Sequence, residues 1–162
     1  MTDRQAALDT LKEGIDALLA AGITADETDQ LFRQVVARCP RLVDYREVCD
    51  NLYDGIHITD GEGTVLFINQ AYTRPTGILP AEILGRKVSD IEAEGKLYKG
   101  SVTAKVLEKR MRVNSVATIF KLNKEVLVTG TPVFDEAGNI KLVVTNTRDF
   151  PELKRLEQQL LT

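Results

Sequence analysis

The sequence predicts an α+β fold: a five-stranded antiparallel sheet with helices on one face, an N-terminal helical segment before it and a C-terminal linker helix after it. Three observations carry this. Residues 55–77 read as strand, tight turn, strand and capped helix. Residues 113–147 read as three further strands joined by short polar turns. Apolar residues at three-four spacing, the period of an amphipathic helix, occupy the first fifty residues and the last fourteen. The boundaries this implies are 1–44, 45–148 and 149–162.

Residues 3–21 place Leu8, Leu11, Ile15, Leu18 and Leu19 on one helical face, and Gly22 stops the helix. Thr24 and Glu27 form a Thr-x-x-Glu capping box for a second helix, in which Leu31, Phe32, Val35 and Val36 share a face. Pro40 ends that helix and can open a third, where Leu42, Tyr45, Cys49 and Leu52 align. These stripes need a cover. Packing within the domain and pairing with the same helices of a second copy both stay open.

Ile56 and Ile58 alternate with His57 and Thr59, which predicts a half-buried strand with the isoleucines inward and His57 on the outer face. Asp60-Gly61-Glu62-Gly63 is a hairpin turn that needs a positive φ. Val65 to Ile68 is a continuous apolar run, as in a buried strand. Asn69 stands at a helix N-cap, and Gly77 closes that helix in the left-handed region. One or two helical turns follow from Pro80 to Leu84, a short helix surrounds Ile91, and a longer one runs from Ser101 to Arg110.

Val113 to Lys121, Glu125 to Phe134 and Ile140 to Thr147 are the three late strands, with Gly130 and Pro132 marking a bend or an edge in the second. Asp149 and Glu152 form an Asp-x-x-Glu box over the last helix, with Pro151 in its first turn. Leu153, Leu156 and Leu160 keep the spacing of a coiled-coil seam, though under two heptads of it. No Gly or Pro stop follows, so the natural protein is expected to continue beyond Thr162.

Composition narrows the function. An apolar content of 43% supports a packed core, and a net charge of −3 supplies no basic field for nucleic acid. No apolar run has the length of a membrane span and the N-terminus lacks a signal-peptide core, so a cytoplasmic location is expected. Cys39 and Cys49, ten residues apart, indicate neither a metal site nor a redox pair. One histidine builds no nucleophile–base pair, and Gly61 and Gly63 lie between two strands rather than between a strand and a phosphate-binding helix. No catalytic residue is assigned. A small-ligand enzyme stays as a minor alternative, with Asp60 and His57 as its only candidate groups.

The ordered set Asp54-Gly55-Ile56, Asp60, Gly63, Asn69, Ala71-Tyr72, Thr76-Gly77 and Glu82-Ile83-Leu84-Gly85 resembles the first half of a PAS sensory domain, and the likeness runs over about residues 45–150. Three later stretches, residues 102–108, 127–135 and 143–149, resemble the sensory domain that precedes the ATPase of sigma-54-dependent bacterial transcription regulators. The resemblance implies a module that receives a signal and relays it through a C-terminal helix, with Asp149 at the relay position. Phe150 and Pro151 depart from the Asp-Ile-Thr signature found there. The input domain of a sensor histidine kinase is the alternative.

In this architecture the middle helices cross a concave sheet and enclose a cavity. Phe67, Tyr72, Ile83, Val102, Val106, Phe120, Val128 and Val144 are its candidate lining residues, and Thr118, Thr129 and Asn146 its candidate polar contacts. A bound small molecule and a simple filled core both account for them. Haem is not expected, because no histidine occurs between Pro80 and Arg110, and a flavin–cysteine adduct is not expected, because neither cysteine lies in the pocket helices. Leu8, Leu11 and Ile15, with Leu153, Leu156 and Leu160, are the expected contacts of a homodimer.

Overall fold

The computed structural model describes residues 2–39 and 42–161, and within them every side chain except those of residues 2, 3 and 152–154. The chain divides into one unit that runs to Tyr45 and another from Arg46 onward. In the first, α1 (Thr2–Ala20) ends at Gly22, whose φ of 76° lets the amides of Gly22 and Ile23 return to the carbonyls of Leu19 and Leu18. The capping box then opens α2 (Ala25–Arg38): Glu27 N donates to Thr24 Oγ1 at 3.3 Å and Thr24 N donates to Glu27 Oε2 at 2.9 Å. The helix junction expected at Pro40 lies outside the described residues. A third helix, α3 (Tyr45–Asp50), starts later than that proline. No described helix is long and apolar enough to cross a membrane.

The second unit carries β1 (Gly55–Asp60), β2 (Val65–Ile68), α4 (Gln70–Thr76), α5 (Pro80–Ile83), α6 (Val88–Glu94), β3 (Tyr98–Lys99), α7 (Thr103–Lys109), β4 (Val113–Ile119), β5 (Lys124–Phe134), β6 (Ile140–Asp149) and α8 (Phe150–Leu160). The strands form one antiparallel sheet in the order β2-β1-β6-β5-β4-β3. The sheet therefore has six strands, not five. The extra one, β3, is two residues long, too short to show a period in sequence.

Register settles which side chains face the helices. His57 pairs with Thr145, Thr59 with Val143, Val128 with Thr147, and Ala117 with Val126. All eight are buried, on the inner face. Ile56, Ile58, Phe67, Thr118, Thr129, Val144 and Asn146 occupy the alternate positions and point outward. The expected phase of β1 is thus inverted: His57 is inside. Alternation failed here because Ile56 is buried as well, so apolar character marks neither face. The Val65–Ile68 run is buried only at its ends, with Leu66 51% exposed.

Helices α5, α6 and α7 contribute Ile83, Ile91 and Val106, each with no accessible surface, to a core shared with Val65, Val126 and Val143. Gly130 lets α7 lie this close. A Cβ there would come within 2.7 Å of both Val102 Cγ2 and Val106 Cγ2. Gly55 does the same for α4, where a Cβ would meet Tyr72 Cα at 2.9 Å.

Asn69 joins these pieces. It is 1% exposed, and its carboxamide makes four hydrogen bonds. Oδ1 accepts from Ile56 N at 2.7 Å and Tyr72 N at 3.0 Å, while Nδ2 donates to Cys49 O at 2.6 Å and Asp54 O at 3.0 Å. That is the full capacity of an amide side chain.

Two outcomes test this frame by chemical denaturation. Asn69→Ala should lose at least about 3 kcal/mol, because buried main-chain groups are left unpaired, and Asn69→Asp should not restore it, having no N–H to donate. Gly130→Ala should lose about 1–3 kcal/mol from overpacking against α7.

Candidate functional site

Between the inner sheet face and the helices lies a small cavity of about 30 Å³. Its apolar wall includes Val102, Ala117, Ile119, Val126 and Val128. Into the same wall come His57 from β1, Tyr98 from β3 and Thr145 from β6. His57 Nε2, Tyr98 Oη and Thr145 Oγ1 are all buried and have no hydrogen-bond partner among the described residues. Buried polar atoms are rarely left so, since each costs about 1–3 kcal/mol. In a flat sheet β1 and β3 would stand four spacings apart, about 19 Å. Sharing one cavity requires the sheet to curl.

His57 stacks on Tyr72, with ring centroids 5.5 Å apart and planes 30° from parallel. Burial lowers its pKa from the ordinary value to about 4, so the imidazole is neutral at pH 7. Burial likewise raises the Tyr98 and Tyr72 hydroxyls, which keep their protons. No ionised side chain lines the cavity among the described residues. Tyr98 sits on a segment bounded by Gly95 and Gly100, both at positive φ, and Glu92 Oε1 latches its far end by accepting from Gly100 N at 2.7 Å and Ser101 N at 2.8 Å.

Beside this cavity, at the root of α8, is an open groove of about 410 Å³ bounded by Tyr53, Arg74, Arg148, Asp149 and Leu156. Thr147 lines both spaces. Arg74 Nη2 donates to Tyr53 O at 2.8 Å and its guanidinium lies over the Tyr53 ring at 4.5 Å. Arg148 pairs with Asp54 at 2.7 Å, which raises the guanidinium pKa further through that hydrogen bond. Asp149 occupies the N-cap position of α8 but makes no capping hydrogen bond. Its carboxylate is drawn instead to Lys124 Nζ at the start of β5, and its expected partner Glu152 has a side chain outside the described residues.

Comparison with known proteins fits this geometry. The model of the PAS fold family matches residues 44–150. The chain belongs to the PAS family. No curated protein matches it. Among solved structures, an RNA-binding light-oxygen-voltage receptor superposes with a TM-score of 0.55 at 20% identity, covering 72% of this chain and 35% of that one. The PAS domain of the fruit-fly ELK potassium channel gives 0.51 at 13% identity, covering 65% of this chain and 94% of that one. The chain thus spans about a third of the light receptor's length, and these likenesses show the fold alone. PAS domains serve as signal-input modules, and that general role is this chain's.

Within the PAS frame, the sequence candidates separate into three groups. Tyr72, Val102 and Val128 line the cavity. Ile83 and Val106 lie in the core beside it. Phe67, Thr118, Thr129, Val144 and Asn146 stand on the opposite sheet face, and Phe120 is exposed beyond the end of β4. The register places these outward-facing residues away from the cavity for the same reason that it brings His57 in. Sequence reasoning missed His57, Tyr98 and Thr145 as wall residues. The one available signal was a lone histidine in a strand otherwise built for burial. Leu8, Leu11, Ile15, Leu156 and Leu160 are exposed, and the Leu153 side chain lies outside the described residues.

The neutral, buried His57 sets a pH dependence. Its folded pKa of about 4 is below the value of about 6.5 for an unfolded imidazole. The unfolded chain therefore binds more protons between these values, and the contribution is fully present above pH 6.5 and lost as pH falls toward 4. The loss is about 3 kcal/mol. Chemical denaturation from pH 7 to pH 4 should show the stability of His57→Phe falling less than wild type by about that amount.

Proposed function

We propose that this PAS chain is the sensory and dimerisation module of a bacterial transcription regulator of the sigma-54-dependent class, acting in the cytoplasm. A small ligand in the inner cavity is its input and α8 is its output. The observation that carries this is Thr147. Its residue forms wall in the cavity and in the groove at the root of α8, and β6 runs into α8 with no intervening loop. A change of packing at His57, Thr145 or Thr147 thus displaces the strand that ends in the output helix. Lys124 holds Asp149 at this junction, which gives the relay position a partner that can be exchanged. The regulator class is supported by the likeness of residues 102–108, 127–135 and 143–149 to that group.

The division of labour follows the chain. Residues 1–44 and 149–162 supply exposed apolar stripes, with Leu8, Leu11 and Ile15 in α1 and Leu156 and Leu160 in α8. Each stripe meets its counterpart in a second copy. The ligand acts by its differential affinity for two packings of that dimer.

Sedimentation at micromolar concentration should give a dimer, and Leu8→Glu combined with Leu11→Glu should give a monomer. Filling the cavity with Ala117→Val should change hydrogen exchange across residues 150–160. A monomeric wild type, or unchanged exchange in that variant, would remove this reading.

A further inference from the structure

We infer that the inner cavity takes a small uncharged molecule that both donates and accepts hydrogen bonds, held by His57, Tyr98 and Thr145, and that it rejects carboxylates and other anions. The inference rests on the cavity being the input site and specifies what enters it.

The polar atoms define the ligand's chemistry. His57 Nε2, Tyr98 Oη and Thr145 Oγ1 are three buried groups from three strands, all without a partner among the described residues, around one space. Two are hydroxyls, which donate or accept, and the third is a ring nitrogen. A molecule with both capacities satisfies them together, whereas a hydrocarbon would leave all three unpaired at the cost of burying them dry.

Two further polar side chains of the wall are already engaged. Thr76 Oγ1 donates to Tyr72 O at 2.6 Å, and Ser101 Oγ accepts from Thr103 N at 3.2 Å.

Charge is excluded by what is missing from the wall. No Lys or Arg lines the cavity among the described residues. An anion entering would lose its hydration with no cation to meet it, which costs several kcal/mol in a protein interior. Protonating His57 to supply that cation is itself opposed by burial. Size sets the scale. A volume of about 30 Å³ holds about two water-sized positions, so a ligand of a few heavy atoms enters with small side-chain shifts, and its affinity is on the order of millimolar or weaker.

Formamide and formate test this because they have nearly the same shape and differ in charge. Each is titrated into the full chain at pH 7 while the His57 ring nitrogens and the methyl groups of Val126 and Val128 are followed by NMR. Formamide should shift these signals to saturation, and formate at equal concentration should leave them in place. Thr145→Val, which preserves shape, and His57→Phe should each weaken formamide at least fivefold, with dispersed spectra confirming that both variants fold. Saturation by formate as strong as by formamide, no saturable shift from either probe, or undiminished formamide binding in both variants would overturn the inference. The input reading is judged separately: Ala117→Val needs no ligand, so unchanged exchange in α8 would remove that reading even where formamide binds.

Discussion

The Asn69 carboxamide is the constraint on which the rest of the second unit depends. Its two oxygen lone pairs and two amide hydrogens tie the end of α3, the entry to β1, the first turn of α4 and the residue before β1 into one buried junction. A network of this kind is favourable only when complete, because each missing bond leaves a buried group unpaired in a medium of low dielectric. With the junction complete, β1 and α4 have one relative placement. Gly55 then admits the α4 backbone against the strand, and His57 and Tyr72 meet face to face beneath it.

From that placement follows the character of the cavity. The junction brings a histidine to the inner face one strand in from the β2 edge, and the curl of the sheet brings a tyrosine from the opposite edge to the same space. A wall of valines and an isoleucine would be more stable if the polar positions were apolar too. Three buried polar atoms without a hydrogen-bond partner among the described residues are a local cost to the fold. Sites commonly carry such costs where the surrounding structure is strong enough to hold them. Here the surrounding strength lies in the completely buried valines and isoleucines of the core, in the Asn69 junction and in the long pairing of β5 with β6.

The family frame and the chain's own residues answer different questions. Membership of the PAS family accounts for the sheet, the crossing helices and the hollow between them. A fold shared at below a quarter identity does not choose a ligand, because function resides in the site placed on the fold. The neutral histidine, the latched tyrosine segment and the strand that runs from the cavity into α8 belong to this sequence. Thr147 lines both the cavity and the groove at the root of α8.

Much of the architecture was legible without coordinates because it rests on local chemistry. Gly22 and Gly77 stop helices through the conformation that glycine alone adopts freely, the Thr24–Glu27 box is formed by residues three apart, and Asn69 caps the residues that follow it. What only the tertiary structure decided involves residues distant in sequence. The phase of β1 was hidden because both of its faces are covered near Ile56, so alternation carried no sign of which was inner. Tyr98 was hidden because a two-residue edge strand has no period. The loss of the Asp149 cap to Lys124 was hidden because the competing cation arrives from another strand. Local sequence determined the elements and their ends; the curl and register of the sheet decided which polar atoms share a cavity, because those depend on pairings between strands that the chain brings together only when folded.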